Sequence, residues 1–213
     1  TLKLDGWTDS SISDAYAIHA LEFASITVND HHFSMNDGFP TTGFVGATFT
    51  LNLKDGASAS NFDWKVDGGA GWVSVNNGVV RFTGKGTSST VTISATEKTG
   101  GGRVTKYSFN LKKWFVNEGK NTMTWTEANM KGGLPTRKEL TKGEGIRAVG
   151  SLWSEWGNVS TYPGAGFISG DYYWTSELSS YNGYPYIVFS SDGDVRDHRD
   201  DTYPNHVVRR QDL

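Results

Sequence analysis

The densest set of reactive side chains in this sequence runs from Asp192 to Asp201. There Asp192, Asp194, Asp197, Asp200 and Asp201 are interleaved with Arg196, His198 and Arg199. Carboxylates and guanidinium groups mixed in this way suit recognition of a protein surface. Arranged charge gives specificity and association rate, and arginine is enriched at binding hot spots together with tyrosine and tryptophan. The plainer use of the same residues is a solvated loop whose charges neutralise one another. A calcium site on Asp192, Asp194, Asp197 and Asp200 is disfavoured, because the spacing lacks the EF-hand pattern and the arginines compete for the carboxylates. Just upstream, Tyr181-Asn182-Gly183-Tyr184-Pro185-Tyr186 has the composition of an adaptable contact loop, since tyrosine offers large contact area at small entropic cost. Tyr184 and Tyr186 could equally pack inward and leave Tyr181 alone outside. The candidate partner-binding residues are therefore Tyr181, Tyr184, Asp194, Arg196, Asp197, His198, Arg199, Asp201 and Tyr203.

Other chemistry finds no foothold. His31 and His32 are adjacent, and neighbours on a strand point to opposite faces, so they do not converge on one ion. His198 and His206 lack a third ligand. There is no Ser-His-Asp arrangement, phosphate-binding loop or dinucleotide fingerprint. No catalytic residue, metal or cofactor is expected, and an enzyme is not expected. The absence of cysteine excludes disulfides, thiol catalysis and cysteine-ligated zinc. A net charge of -3 disfavours nucleic acid and anionic membrane as partners. No apolar run approaches the ~20 residues that span a bilayer, so membrane insertion is not expected. Thr1-Leu2-Lys3-Leu4-Asp5 leads into polar sequence without a leader-like pattern, so the chain reads as a mature fragment or an excised part of something longer; a monomer is expected.

These candidate residues need elements to hold them. At 213 residues the chain fits two domains of about 100 residues each. Hydrophobic residues make up 36%, which is low, so the cores must be small and aromatic, anchored by Trp64, Trp72, Trp114, Trp125 and Trp174. Residues 1–24 read as the end of a preceding domain or a junction; Ala15 to Leu21 could be a strand or a helical turn. From residue 25 to 113, seven short alternating runs recur with turn signals between them, including Ala47 to Leu53, Phe62 to Val66, Val79 to Phe82 and Thr90 to Ala95. That spacing is the signature of an immunoglobulin-like β-sandwich, with Trp64 and Trp72 as filling between its sheets.

After Trp114 the period changes. Thr122 or Thr124 can cap a helix within Met123 to Lys131, with Glu127 three residues after Thr124 as in a capping box, and Thr136 with Glu139 marks a second helix after Pro135. Gly143 to Gly170 reads as an irregular excursion, with Trp153 and Trp156 as plugs. Strands return at Tyr172 to Ser176, Pro185 to Ser190 and His206 to Arg210. Residues 114–213 thus form an α+β module.

A sandwich running into NLKKWF (Asn110 to Phe115), WTEANMKGGLPTRKELT (Trp125 to Thr141), SLWSEWG (Ser151 to Gly157), YWTSE (Tyr173 to Glu177) and VRRQ (Val208 to Gln211) resembles the tip of invasin/intimin-family bacterial adhesins. The resemblance covers residues 25–213. It implies a mainly β plus α+β fold, an Ig-like domain followed by a C-type-lectin-like domain, on the extracellular part of an outer-membrane protein at the bacterial cell surface. It also implies a partner on the host: a cell-surface receptor or a secreted host protein such as an immunoglobulin, bound by loops of the lectin-like domain while the Ig-like domain acts as spacer. The alternative is a carbohydrate-binding module that works without calcium. Family members often join the first helix to the last strand by a disulfide; the matching places, near Asn129-Met130 and Val208-Arg209, hold no cysteine here. Sugar-binding calcium loops carry Glu-Pro-Asn or Gln-Pro-Asp, whereas this chain has Tyr203-Pro204-Asn205, which lacks the chelating carboxylate.

Overall fold

The structure, a computed structural model, describes residues 21–68, 70–197 and 202–213. The reading of residues 15–20 as strand or helical turn lies outside the described residues, as do His198, Arg199 and Asp201.

Among the described residues, the stretch up to residue 109 holds the strands β1 (Phe23–Val28), β2 (His31–Phe33), β3 (Thr42–Gly43), β4 (Thr48–Leu53), β5 (Phe62–Asp67), β6 (Val73–Asn76), β7 (Val79–Phe82), β8 (Val91–Glu97) and β9 (Val104–Phe109). Eight of them form two sheets, β2-β1-β4-β7-β6 and β5-β8-β9. Period-two alternation decides which face of each strand is buried. In β4, Phe49, Leu51 and Leu53 turn inward while Thr48, Thr50 and Asn52 stay half-exposed. The β6–β7 hairpin closes on Asn77 (φ 46°) and Gly78 (φ 81°), the two positive φ values that a type I′ turn demands. Gly78 is required sterically as well, because a Cβ there would lie 2.9 Å from the Leu51 carbonyl oxygen.

One expectation about this sandwich fails. Trp64 is only half-buried, stacking on Phe23 at the margin (5.8 Å between centroids) and donating its indole N–H to the Ala59 carbonyl at 2.9 Å. Phenylalanine fills the centre: Phe39, Phe49, Phe82 and Phe109 contact one another edge to face or tilted.

The rest of the chain forms β10 (Lys113–Met123), α1 (Trp125–Met130), α2 (Arg137–Leu140), α3 (Leu152–Trp156), β11 (Tyr172–Leu178), β12 (Pro185–Phe189), β13 (Val195–Asp197) and β14 (Asn205–Asp212). A six-stranded sheet runs β13-β12-β11-β14-β10-β3. Both capping boxes are present, with Thr124 and Thr136 accepting from the amides of Glu127 and Glu139 and each glutamate reaching back to its cap residue. Two elements go beyond the sequence reading. The interval 143–170 contains α3, and β10 is a strand of eleven residues, bulged between Asn117 and Thr122. A second, smaller core of Met123, Ala128, Leu134, Trp174, Ile187 and Val207 lies under α1, with the Trp174 indole donating to the Met123 carbonyl at 2.8 Å.

The sandwich and the six-stranded sheet are welded rather than strung together. β3 lies in the sandwich stretch of the sequence but pairs in parallel with β10, Thr42 beside Lys113 and Gly43 beside Trp114. A Cβ on Gly43 would sit 2.7 Å from the Trp114 ring, so only glycine permits the approach. Across the same seam α3 inserts Trp156, which is fully buried against Phe39, Phe44, Phe49, Phe82 and Tyr162. Each such ring pair adds about 0.5–1.5 kcal/mol beyond the area it buries.

Beside Trp156, the wholly buried Glu155 accepts from the Thr41 amide (2.9 and 3.0 Å), the Thr42 amide (3.2 Å), the Thr42 hydroxyl (3.0 Å), the Gly150 amide (3.3 Å) and the Thr41 hydroxyl. Burial pushes its carboxyl above the usual range, and the donors from Thr41, Thr42 and Gly150 pull against that. Arg147 completes the weld by donating to the carbonyls of Val28 (2.8 Å) and Asn29 (2.9 Å) in the sandwich and of Glu155 (2.9 Å) in α3. Asn29 returns the contact, donating to the Trp156 and Asn158 carbonyls.

Near the places where the family resemblance would imply a disulfide, this chain has Arg209. From β14 its guanidinium donates to the Ala128 carbonyl (3.1 Å) and the Gly132 carbonyl at the end of α1, and to Glu118 of β10 at 2.5 Å. The clip joins the same two elements, first helix and last strand, without a covalent bond.

Candidate functional site

Of the candidate residues that the structure describes, Tyr181, Tyr184, Asp194, Arg196 and Asp197 lie toward the β13 edge of the six-stranded sheet, on the β11–β12 hairpin and on or next to β13. The hairpin tip, Ser179 to Tyr184, is closed by the Ser179 amide donating to the Tyr184 carbonyl (2.7 Å) and the Gly183 amide donating to the Ser179 carbonyl (2.8 Å). Tyr181 stands on this tip at 94% exposure, Tyr184 is 38% exposed, and Leu178 beside them is 50% exposed. Tyr203, before β14, is 63% exposed.

β13 corrects the reading of Asp192 to Asp201 as one loop. Asp192 and Gly193 do turn, with the Asp194 amide donating to the Asp192 carboxylate at 3.0 Å. Val195 to Asp197 then form an edge strand, in register with β12 as Tyr186 opposite Asp197, Ile187 opposite Arg196 and Val188 opposite Val195. Strand alternation therefore puts Arg196 and Asp197 on opposite faces. Arg196 shares its face with Tyr172 and Trp174 and pairs with Asp194 at 2.6 Å, a contact that raises the arginine's affinity for its proton. Asp197 lies on the Tyr186 face and accepts from the Asn182 side chain at 2.5 Å, tying the edge strand to the hairpin tip. Tyr181, Tyr184 and Asp197 are thus brought together, while Arg196 and Asp194 form a pair of their own.

Several residues that brace this edge carry no obvious functional signal. Arg137 of the LPTRKEL phrase donates its amide (2.6 Å) and its Nε (3.2 Å) to Glu177 of the YWTSE phrase, and its guanidinium lies 3.8 Å over the Tyr186 ring. Burial alone would raise Glu177, but the hydrogen bonds and charge of Arg137 outweigh it and hold the carboxyl below the usual range. The two phrases are therefore one device: α2 grips the root of the hairpin through an ion pair and a cation–π contact. Asn182 is the other omission, and its partners, Asp197 and the Tyr184 amide (3.0 Å), leave no mark in local sequence.

Trp153 and Trp156, read as plugs, are both buried, and the Trp153 indole donates to the Ser190 carbonyl at 2.7 Å. Among the described residues, no three His, Asp or Glu side chains converge as a metal site would need.

Comparison with known proteins gives a consistent result. The family model for invasin, domain 4, matches residues 24–109. The chain is 31% identical over 165 residues to Invasin of Yersinia enterocolitica, a match covering 75% of this chain and 20% of that protein. It is 34% identical over 163 residues to the inverse autotransporter adhesin YeeJ of Escherichia coli (strain K12), covering 73% of this chain and 7% of that protein. A crystal structure of invasin, described as a bacterial integrin-binding protein, superposes with a TM-score of 0.77 at 25% identity, covering 90% of this chain and 39% of that one. The chain spans at most about a fifth of the length of these curated relatives. Residues 24–109 thus match invasin domain 4, and in its sandwich followed by a helix-braced six-stranded sheet the chain resembles the invasin-type adhesins, which are surface-exposed proteins of the bacterial outer membrane.

Proposed function

We propose that this chain is the head of an adhesin that binds a host protein through the free edge of its six-stranded sheet. In this reading residues 114–213 form the lectin-like binding unit and residues 25–113 the Ig-like unit that holds it. The observation that carries the proposal is Tyr181. A large side chain at 94% exposure stands on a hairpin tip fixed by backbone hydrogen bonds, by Asn182 to Asp197 and by Arg137 at its root. An exposed aromatic on a rigid support loses little entropy on binding, which is the property of a hot-spot anchor. Asp197, tied to the tip by Asn182, supplies a charge beside it, and the Arg196–Asp194 pair on the other face of the same edge strand adds charge that steers encounter. Since invasin is described as integrin-binding, an integrin ectodomain is the first purified host protein to test.

The experiment is binding of the whole chain to host cells, untreated, deglycosylated or surface-proteolysed, with Tyr181→Ala and Arg196→Ala as variants. Loss after proteolysis but not after deglycosylation, together with at least tenfold weaker binding of Tyr181→Ala, supports a protein ligand at this edge. Robust binding to a glycan array without calcium would move the reading to a sugar ligand.

A further inference from the structure

Two Asn-Gly pairs occur in the sequence, Asn77-Gly78 and Asn182-Gly183. Asparagine is thermally labile, and most so before glycine, where no side chain shields the next backbone nitrogen from the asparagine amide. The structure treats the two pairs differently. Asn77 lies in the left-handed region (φ 46°) between Asn76 and Val79, which pair across the β6–β7 hairpin. Gly78 behind it is buried, its carbonyl accepts the Leu51 amide at 2.9 Å, and a Cβ on it would touch the Trp64 ring at 3.3 Å. Bringing the Gly78 nitrogen round onto the Asn77 side chain would break that turn and its ladder.

Asn182 and Gly183 are both exposed, and a Cβ on Gly183 would meet nothing within 4 Å, so the peptide between them has room to swing and water reaches it. The Asn182 side chain is already polarised for attack. Its Oδ1 accepts the Tyr184 amide at 3.0 Å, which draws charge from Cγ and supports the oxyanion that attack creates. One bond opposes the reaction: the Gly183 amide donates to the Ser179 carbonyl at 2.8 Å, so its nitrogen is free only when that bond opens. Opening an exposed tip costs less than unzipping a hairpin in register.

We infer that Asn182 is a site of spontaneous deamidation that unties the hairpin tip. The Gly183 nitrogen bonds to Asn182 Cγ, its proton passes through water to Nδ2, the Cγ–Nδ2 bond breaks and ammonia leaves, giving a cyclic imide. Water then opens the imide at either carbonyl to an aspartyl or isoaspartyl residue, with nothing oxidised or reduced. The product lacks the Nδ2 donor that holds Asp197 and sets a second carboxylate in its place. Two carboxylates at hydrogen-bond distance repel unless they share a proton. At neutral pH the tie between the tip and β13 is therefore lost, and Tyr181 stands on a looser support. The chemistry needs no partner; only its effect on adhesion rests on the edge reading above.

The test ages the whole chain at mildly alkaline pH, folded and in urea, and follows both asparagines by peptide mass mapping. In the folded chain the Asn182 peptide should gain the mass of NH₂ replaced by OH about tenfold faster than the Asn77 peptide, with an isoaspartyl form among the products. In urea the two should react at similar rates. Asn182→Asp made directly should raise amide exchange from Ser179 to Tyr184 relative to the parent at neutral pH, with the melting temperature unchanged. Asn182→Asp combined with Asp197→Asn moves the donor to the other partner and should restore the parent's protection, a rescue that simple loss of the asparagine would not show. A folded Asn182 that stays intact, an Asn77 that reacts as fast, or an Asn182→Asp tip as protected as the parent overturns the inference. If the aged chain shows the mass gain and the looser tip yet binds host cells as before, the inference stands and the edge reading falls.

Discussion

The seam and the hairpin edge use the same residue types to opposite ends. At the seam an acidic group and aromatic rings are wholly buried: each carboxylate oxygen of Glu155 accepts from three donors, and Trp156 touches five rings. At the edge Tyr181 and Asp197 face water, and their few hydrogen bonds serve only to fix the direction in which they point. A buried polar group that loses its partner keeps the full desolvation cost, whereas an exposed one recovers water. The seam is consequently where stability is sensitive to substitution, and the edge is where sequence can change without touching the fold.

The contrast is broken most directly at Trp156. Trp156→Ala should cost roughly 3–5 kcal/mol, read from denaturant midpoints, and should separate one unfolding transition into two if the weld is what couples the units. Glu155→Gln places an amide N–H₂ against the amides of Thr41 and Thr42, and should cost about 1–3 kcal/mol. A neutral result there would mean that the carboxyl is held protonated. Arg209→Ala frees two carbonyls at the end of α1 and leaves Glu118 alone, with an expected loss of about 1–2 kcal/mol; amide exchange should rise in α1 before it rises in the sandwich.

Acid gives a smaller effect of determined sign. Glu177 has a folded pKa below its unfolded value, so its contribution is complete above the ordinary glutamate range and is lost as pH falls through the folded value. Because the pair is about a third exposed, the loss should stay below about 1 kcal/mol, and Glu177→Gln should remove that part of the acid dependence. Smallest of all, Tyr181→Ala and Arg196→Ala should leave stability within about 0.5 kcal/mol while binding to host cells falls. A melting temperature that dropped markedly in either variant would place that residue on the wrong side of the comparison.

Legibility follows the same division. The sandwich strands announce themselves because one face is wet and the other dry, and the starts of α1 and α2 are signalled by a threonine and a glutamate three residues apart, although Thr122 competes with Thr124 as the first cap. By contrast α3 shows no pattern: all five of its residues are buried, so the alternation that reveals an amphipathic helix is absent. The outer half of β10 is polar and bulged, and β13 is an edge strand whose charges read as loop. Trp64 and Trp72 looked equivalent, yet only Trp72 reaches the core, since composition does not say how near a sheet's centre a residue falls. At the candidate site Tyr181 and the charges were visible by type. The split of Arg196 from Asp197 and the bridge from Asn182 depend on register, which is settled by partners distant in sequence.

The Arg209 clip has a consequence for a protein that works outside the cell. A cystine link must be oxidised after the chain has crossed to its destination, a step that takes seconds to hours and depends on an oxidant. A guanidinium docking on backbone carbonyls needs no oxidant and can form as β14 pairs with β10. If adhesion pulls the last strand away, nothing covalent has been cut, and the latch closes again when the tension drops. Such a link gives up some resistance to a single strong pull and gains the capacity to reset.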